Sequence, residues 1–175
     1  MLKSIIEILE SRKVHTEHHS EKVSLLAGRM AVALNFTLQE QKRIKDAAYL
    51  HDIGKMAIPE EIVMKEDITS ESERYIVQQH VTVGARLLES VKPLRSLASA
   101  VLHHHERWDG SGYPNGLKNK NIPFYARIIG LVDRYQNELR KKPDALPLEV
   151  VEFIKNTGHY DPELCDVLKQ IIAYD

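Results

Sequence analysis

Cysteine is almost absent from this 175-residue chain, which contains only Cys165. A single thiol cannot form an internal disulfide, and it excludes a cysteine-rich zinc module. No apolar stretch approaches the roughly 20 residues that a membrane-spanning helix needs. The first residues also lack the long apolar segment and small-residue cleavage site of a secretory signal. We therefore expect a cytoplasmic protein with no membrane partner.

A strong charge of either sign is also missing, because the formal net charge is −1. A chain that binds bulk nucleic acid or an anionic membrane through its overall field would carry a clear positive excess. Hydrophobic residues make up 43% and charged residues 28%, which is typical of a folded soluble domain. The length predicts a single domain over residues 1–175. Local cations or metal ions could still bind a small anionic ligand.

Two common catalytic signatures do not occur in the chain. There is no Gly-x-Ser-x-Gly turn for a nucleophilic serine and no Gly-x-x-x-x-Gly-Lys-Ser/Thr loop for phosphates. The glycines at 110, 112 and 116 do not complete a Gly-x-Gly-x-x-Gly loop, because position 115 is asparagine. Any hydrolytic chemistry must therefore rest on other groups.

Alternating strand patterns are absent too, and helical spacing dominates the chain. Thr37-x-x-Glu40 is a capping box, and Asp161 before Pro162 is typical of a helix start. The predicted helices run from about Leu2 to Leu34, Thr37 to Lys55, and onward from Thr69, Pro93 and Pro123, then near Leu148–Lys155 and Pro162–Tyr174. The sequence thus predicts an all-α bundle of about seven helices, with one long Gly/Pro-rich loop over 106–121.

Histidine is what the chain has in excess, with nine residues. Residues three or four apart share one helix face, and several polar groups continue apolar stripes in this way. These groups are His19, His51, His80, His104 with His105, and Asp133. One buried histidine alone is better explained as a hydrogen-bonded core residue. Five helices that each turn a polar group inward indicate a shared partner, because burying such groups unpaired costs about 2–7 kcal/mol each.

A metal centre is the simplest shared partner. With Asp52 beside His51, the set holds five imidazoles and two carboxylates, more than one tetrahedral site needs, so we expect two divalent ions. Nitrogen and oxygen ligands without sulfur favour iron, manganese or zinc over magnesium or calcium. Asp52 is expected to bridge the ions, which together would hold a hydroxide and clamp a phosphoryl group. The pattern therefore predicts a metal-dependent phosphohydrolase.

Lys55 lies one turn after His51 on the same predicted helix face. It could face a phosphate oxygen at the edge of the metals, or it could simply complement the dipole of a helix C-terminus. The residues support both interpretations equally.

Three segments resemble the HD-GYP family, a branch of the HD superfamily of metal-dependent phosphohydrolases. They are His51-Asp52-Ile53-Gly54-Lys55, Ile58-Pro59, and the stretch from His104-His105-Glu106 to Gly112-Tyr113-Pro114. The likeness extends over roughly residues 15–164, since Ala126-Arg127-Ile128 and 158–162 are similar to later family motifs. It implies an all-helical HD fold, a di-iron or di-manganese centre, and hydrolysis of cyclic di-GMP to pGpG or GMP.

The resemblance also assigns residues by position. The family's ligand motifs match His19, His51, Asp52, His80, His104, His105 and Asp133. Lys55 matches the phosphate-contacting lysine, so Asp52 and Lys55 are the predicted catalytic residues. A hydroxide bridging the metals would attack phosphorus, while the metals and Lys55 offset the developing charge.

Predicted substrate contacts are Lys55, Trp108, Tyr113 and Lys142. Trp108 and Tyr113 would shape the pocket or stack on a base; the alternative is that they only pack on the helices. His18, His103 and His159 are predicted to lie outside the ligand set.

The chain departs from the family pattern at several positions. His15 stands where some members carry a glutamate ligand for a third metal, so we predict two metals, with His15 an extra ligand or a neighbour of the ligands. After Asp133, Lys142 replaces an arginine and Ala145 replaces a basic residue, in a region that grips the dinucleotide in the family. Arg140 and Lys141 could compensate.

These departures leave alternatives for the function. The substrate could be another cyclic dinucleotide or a mononucleotide, or the chain could be a non-catalytic sensor of a cyclic dinucleotide. A helical scaffold with one structural metal is the simplest remaining interpretation. Regulation by a separate protein, by a homodimer or within a longer parent chain would each fit.

Overall fold

The computed structural model describes residues 18–63, 65 and 70–174. Eight α-helices lie in this part: α1 His19–Ala33, α2 Leu38–Tyr49, α3 Glu60–Val63, α4 Glu71–Ser90, α5 Ala98–His103, α6 Phe124–Lys141, α7 Pro147–Asn156 and α8 Pro162–Ala173. Three short 3-10 helices cover Ile53–Ala57, Lys92–Leu97 and Asn119–Asn121. No strand occurs among the described residues, so the predicted all-α fold is confirmed.

The helix starts follow local capping chemistry. Thr37 accepts a hydrogen bond from the backbone amide of Glu40, whose carboxylate accepts one in return, which confirms the capping box. Ser70 caps α4 and Asp161 caps α8 through side-chain oxygens. The predicted helix starts after residues 37, 70 and 161 are therefore confirmed.

The hydrophobic core lies around α6. Ile128, Ile129, Leu131 and Val132 on this helix are all fully buried. They join buried side chains from the surrounding helices in one cluster: Met30, Ile44, Leu88, Val101, Ile154 and Leu168. Burying each large aliphatic side chain contributes about 1.5–3 kcal/mol. The core thus fixes α1, α2, α4 and α5 around α6, and Asp133 on α6 is brought among them.

Two predicted helices end earlier than expected. Helix α2 stops at Tyr49 rather than Lys55, so His51 and Asp52 lie in the turn before the Ile53–Ala57 3-10 helix. The reason is visible at Gly54, whose backbone packs so closely on α4 that an added Cβ would lie 1.9 Å from the carbonyl oxygen of His80. Helix α5 likewise ends at His103, which leaves His104 and His105 in a turn.

At the N-terminal end, α1 begins at His19. The first helix was predicted to run from about Leu2 to Leu34, and its part before residue 18, with His15, falls outside the described residues. The 106–121 loop is confirmed, and it contains a cis peptide bond between Tyr113 and Pro114. No helix in the described part combines the length and apolarity needed to cross a membrane.

Candidate metal centre

The same kind of hydrogen bond orients each of three buried histidine rings. The Nδ1 atoms of His51, His80 and His104 lie 2.6, 2.7 and 2.7 Å from the carbonyl oxygens of Ala48, Val77 and Val101. Each ring therefore donates its Nδ1–H to a carbonyl three residues earlier, which turns its Nε2 toward the other members of the cluster. This arrangement is typical of metal-binding histidines, whose ring position is set by the other nitrogen.

The Nε2 atoms of His80 and His104 show what these orientations are for. Both atoms are buried, and neither has a hydrogen-bond partner among the described residues. An unsatisfied buried polar atom costs about 1–3 kcal/mol. A metal cation between the rings would satisfy both lone pairs at once.

Asp52 stands between the histidines. Its Oδ1 lies 3.3 Å from His80 Nε2 and 4.0 Å from His104 Nε2, while its Oδ2 lies 3.2 Å from His51 Nε2. The two carboxylate oxygens thus face different rings. Two groups of ligand atoms result, each within 4.8 Å: Asp52 with His80, His104 and His105, and Asp52 with His19 and His51. Asp52 belongs to both groups.

Asp133, which lies on α6, contacts the two histidines of the second group. Its Oδ1 lies 3.0 Å from His19 Nε2 and 3.6 Å from His51 Nε2, and Asn137 one turn later donates to the same oxygen at 2.8 Å. All seven residues that the sequence singled out as ligands therefore lie in one cluster, in which six are buried and His105 is partly buried. Its nitrogen and oxygen donors, without sulfur, fit divalent transition metals.

The electrostatics of the cluster agree with that fit. Burial alone would lower the pKa of His51, but Asp52 and Asp133 outweigh it and raise this pKa to about 10. Burial would raise the pKa of Asp133, yet hydrogen bonds from His19 and His51 hold it well below its usual value. The Asp133 carboxylate therefore stays ionised and attracts positive charge, which a metal dication would supply in place of a proton.

Two imidazoles on the other side of the cluster are neutral. Burial, with neighbouring imidazoles, lowers the pKa of His104 well below its usual value and that of His105 to about 3. Neutral imidazole is the form that binds a metal. Lys55 Nζ lies 2.7 Å from Asp52 Oδ2, so its ammonium holds the shared carboxylate.

A cavity of about 470 Å³ opens onto the cluster. His104, His105 and Asp133 form its floor, and Tyr113 lies beside them. Its remaining wall is rich in cations: Arg74, Arg107, Arg134, Arg140 and Lys141. This cavity is the place where a small anionic ligand would meet the metals.

Three predicted substrate contacts do not line this cavity: Trp108, Lys142, and Lys55, whose Nζ contacts Asp52. Trp108 does not line this cavity; it borders a smaller pocket, with the Arg127 guanidinium 5.8 Å from its ring centre. Lys142 follows the last residue of α6, and its ammonium lies 4.7 Å from the ring centre of Phe153. Leaving the helix turns Lys142 away from the cavity.

The remaining predicted positions are easily placed. His18 is exposed, His103 bonds to the Ser99 carbonyl, and His159 lies 3.6 Å from Asp109, so none of the three is in the ligand groups. Sequence reasoning missed Arg74, Asn137 and Glu106. Asn137 follows Asp133 by four residues, and that helical spacing was a usable signal.

Comparison with known proteins gives a consistent result. The sequence profile of the HD domain family matches residues 3–164. A cyclic di-GMP phosphodiesterase of Thermotoga maritima is 35% identical over 178 residues, covering 95% of this chain and 48% of the relative. A 3′3′-cGAMP-specific phosphodiesterase 2 of Vibrio cholerae is 34% identical over 172 residues, covering 94% and 33%. The chain thus spans less than half the length of these curated relatives.

A solved structure shares the architecture. Bd1817, an HDG"Y"P protein from Bdellovibrio bacteriovorus, superposes with a TM-score of 0.72 at 21% identity, covering 91% of this chain and 53% of that one. At that identity the likeness concerns the fold.

Proposed function

This chain belongs to the HD domain family, and from that membership we propose that it is a metal-dependent phosphodiesterase that hydrolyses cyclic di-GMP to pGpG or GMP. The observation that carries the proposal is Asp52, one carboxylate shared by two groups of metal-ligand atoms. We also propose that residues 1–175 form one HD-GYP-like domain, since the buried residues of the described part form one core.

The proposed centre holds two divalent ions, iron or manganese, with zinc as the alternative. The ligands would be His80, His104 and His105 on one side, His19, His51 and Asp133 on the other, and Asp52 between them. When bound, such ions supply an activated water and neutralise charge on a phosphoryl group. The surrounding carbonyls and Lys55 keep the ligands in place without further movement.

The cavity has the size and charge for a dinucleotide phosphate ester. Its volume of about 470 Å³ lies within the usual range of small-molecule sites. Arg74, Arg140 and Lys141 on its wall form no ion pair with any described residue, so their charges are available to a ligand. While one phosphodiester lies at the floor, these cations would bind the other through charge-assisted hydrogen bonds.

A second candidate substrate is another cyclic dinucleotide, 3′3′-cGAMP. The observation in its favour is that a relative named for that specificity is nearly as similar as the one named for cyclic di-GMP. Both molecules carry two phosphodiesters, so the cationic wall suits either. A sensor without catalysis is less favoured, because binding alone does not require seven converging ligands.

A turnover panel distinguishes these functions. Metal-replete protein would be incubated with cyclic di-GMP, 3′3′-cGAMP and a mononucleotide, and the products separated by chromatography. We expect cyclic di-GMP to be hydrolysed fastest, with linear pGpG appearing first. Faster hydrolysis of 3′3′-cGAMP or of the mononucleotide would reassign the substrate. Tight binding of cyclic di-GMP without hydrolysis would instead identify a sensor.

A further inference from the structure

Glu106 is a buried carboxylate that has no part in the proposed chemistry. It directly follows His105, and only 6% of its surface is exposed. Its Oε1 accepts the backbone amide of Asn115 at 2.7 Å, and its Oε2 accepts that of Leu117 at 2.9 Å. No cation forms an ion pair with it in the described part of the chain. The carboxylate therefore links the returning half of the 106–121 loop to the start of that loop through these two hydrogen bonds.

The tied segment carries Tyr113, two residues before Asn115. The Tyr113 ring stacks on the His105 imidazole, with centroids 4.9 Å apart and planes inclined by 29°. The Tyr113 amide also donates to the His105 carbonyl at 3.3 Å. Fixing Asn115 thus fixes an aromatic ring against a metal-ligand candidate.

His105 differs from the other turn and helix histidines in how it is held. The Nδ1 atoms of His51, His80 and His104 each bond to a carbonyl, whereas the His105 ring has no hydrogen bond to any described residue. Its orientation depends on ring contacts, with His104 at 4.0 Å, Tyr113 at 4.9 Å and His80 at 5.1 Å between centroids. Stacking against the Tyr113 ring therefore helps to orient His105, as a carbonyl hydrogen bond orients each of the other three rings.

The loop is packed too tightly for Tyr113 to shift while Glu106 keeps its two hydrogen bonds. A Cβ added to Gly112 would lie 2.3 Å from the Arg107 nitrogen and 2.5 Å from the Glu106 Cα. The loop therefore folds back tightly onto its own start, and the two hydrogen bonds of Glu106 close that fold.

We propose that Glu106 is a positioning residue that, by anchoring the loop, presses Tyr113 onto His105 and so sets the His105 ring for metal binding. This inference rests on the proposed function. It concerns only the half of the centre formed by Asp52, His80, His104 and His105, and it leaves the half with His19 and His51 unaffected.

The test is a titration of metal-free protein with Co²⁺, followed by visible absorption. We expect the wild type to bind two ions per chain. Glu106→Gln replaces one accepting oxygen with an amide NH₂ that faces a backbone N–H. It should therefore lower the affinity for one of the two Co²⁺ ions by about 10- to 100-fold, as loss of a ligand-orienting group does. Tyr113→Ala should lower the affinity for the same Co²⁺ ion by the same factor, whereas Tyr113→Phe, which keeps the ring, should leave this affinity unchanged.

Coupling and a matched control separate positioning from general damage. If Glu106 acts through Tyr113, the Glu106→Gln/Tyr113→Ala double variant should lose no more Co²⁺ affinity than either single variant. Asp161→Asn alters another buried carboxylate, which caps α8, and should lower the melting temperature without changing either Co²⁺ affinity.

Three results would overturn the inference alone: unchanged Co²⁺ affinity in Glu106→Gln, additive losses in the double variant, or the same loss in Asp161→Asn. A wild-type protein that binds fewer than two Co²⁺ would contradict the proposed function itself, and the inference with it.

Discussion

The floor and the wall of the cavity are built in opposite ways. In the ligand cluster that forms and underlies the floor, His51, His80 and His104 are buried and each is fixed by a backbone carbonyl. On the wall, Arg74, Arg140 and Lys141 are exposed and have no ion-pair partner in the described part of the chain. The fold therefore fixes the positions of the candidate ligands, whereas the wall presents exposed cations that no described residue holds in an ion pair.

The sharpest way to break the floor is Asp52→Ala. Because Asp52 belongs to both ligand groups, its loss should remove both metals and reduce turnover by more than about 100-fold, the upper end for a group that only orients a ligand. Elemental analysis and a hydrolysis assay measure the two effects. Asp166→Ala, which removes an exposed carboxylate paired with Lys155 on the surface, is the control and should change neither. Retention of metals and activity by Asp52→Ala would rule out the shared carboxylate.

A smaller effect is expected on the wall. Arg140→Gln with Lys141→Gln should raise the KM for cyclic di-GMP about tenfold, the value of a partly exposed charge-assisted hydrogen bond. The kcat should change little, and hydrolysis of bis(p-nitrophenyl) phosphate, which has one phosphodiester, should be unaffected.

Lys142→Gln is the matched control for the wall, because the neighbouring Lys142 lies over Phe153 instead of lining the cavity. The KM for cyclic di-GMP and the rate of bis(p-nitrophenyl) phosphate hydrolysis should both stay within about twofold of the wild-type values, as expected for an exposed cation. A larger effect from Lys142 than from Arg140 and Lys141 would mean that the wall is assigned to the wrong residues.

The smallest effect should come from a site remote from both regions. Thr37→Ala removes the capping box of α2 and should lower the free energy of unfolding by about 1 kcal/mol. Urea denaturation measures this change. Metal content and KM should stay as in the wild type; a loss of metal would show that the floor is less rigid than its hydrogen bonds indicate.

The floor was predictable from the sequence even though two helix ends were wrong. His51, Asp52 and His104 lie in turns, but the backbone there stays near the helical region, with φ −100° and ψ 9° at Asp52 and φ −68° and ψ −13° at His104. The side chains therefore keep the direction that an unbroken helix would give them. Helical spacing thus selected residues that the fold does bring together, although the helices had already ended.

The wall was not predictable in the same way. Lys142 was chosen by its position in a family pattern, yet α6 ends at Lys141 and Lys142 has φ −131° and ψ 75°. One residue past the helix, the side chain points elsewhere. Arg140, by contrast, follows Asp133 by seven residues, about two helical turns, and so remains on the cavity side. Where a helix stops is decided by tertiary packing, which spacing alone does not contain.

The loop gives a similar lesson. Glycines and Pro114 predicted its irregular course, but nothing in the sequence indicated that Glu106 would accept two amides from its far end. Contacts between a loop and its own start depend on the complete path of the loop.

The most direct test of the shared-carboxylate centre is metal content and activity on one sample purified without oxygen. We expect two iron or manganese ions per chain together with hydrolysis of cyclic di-GMP to pGpG. One metal per chain, with no hydrolysis even of bis(p-nitrophenyl) phosphate, would contradict it.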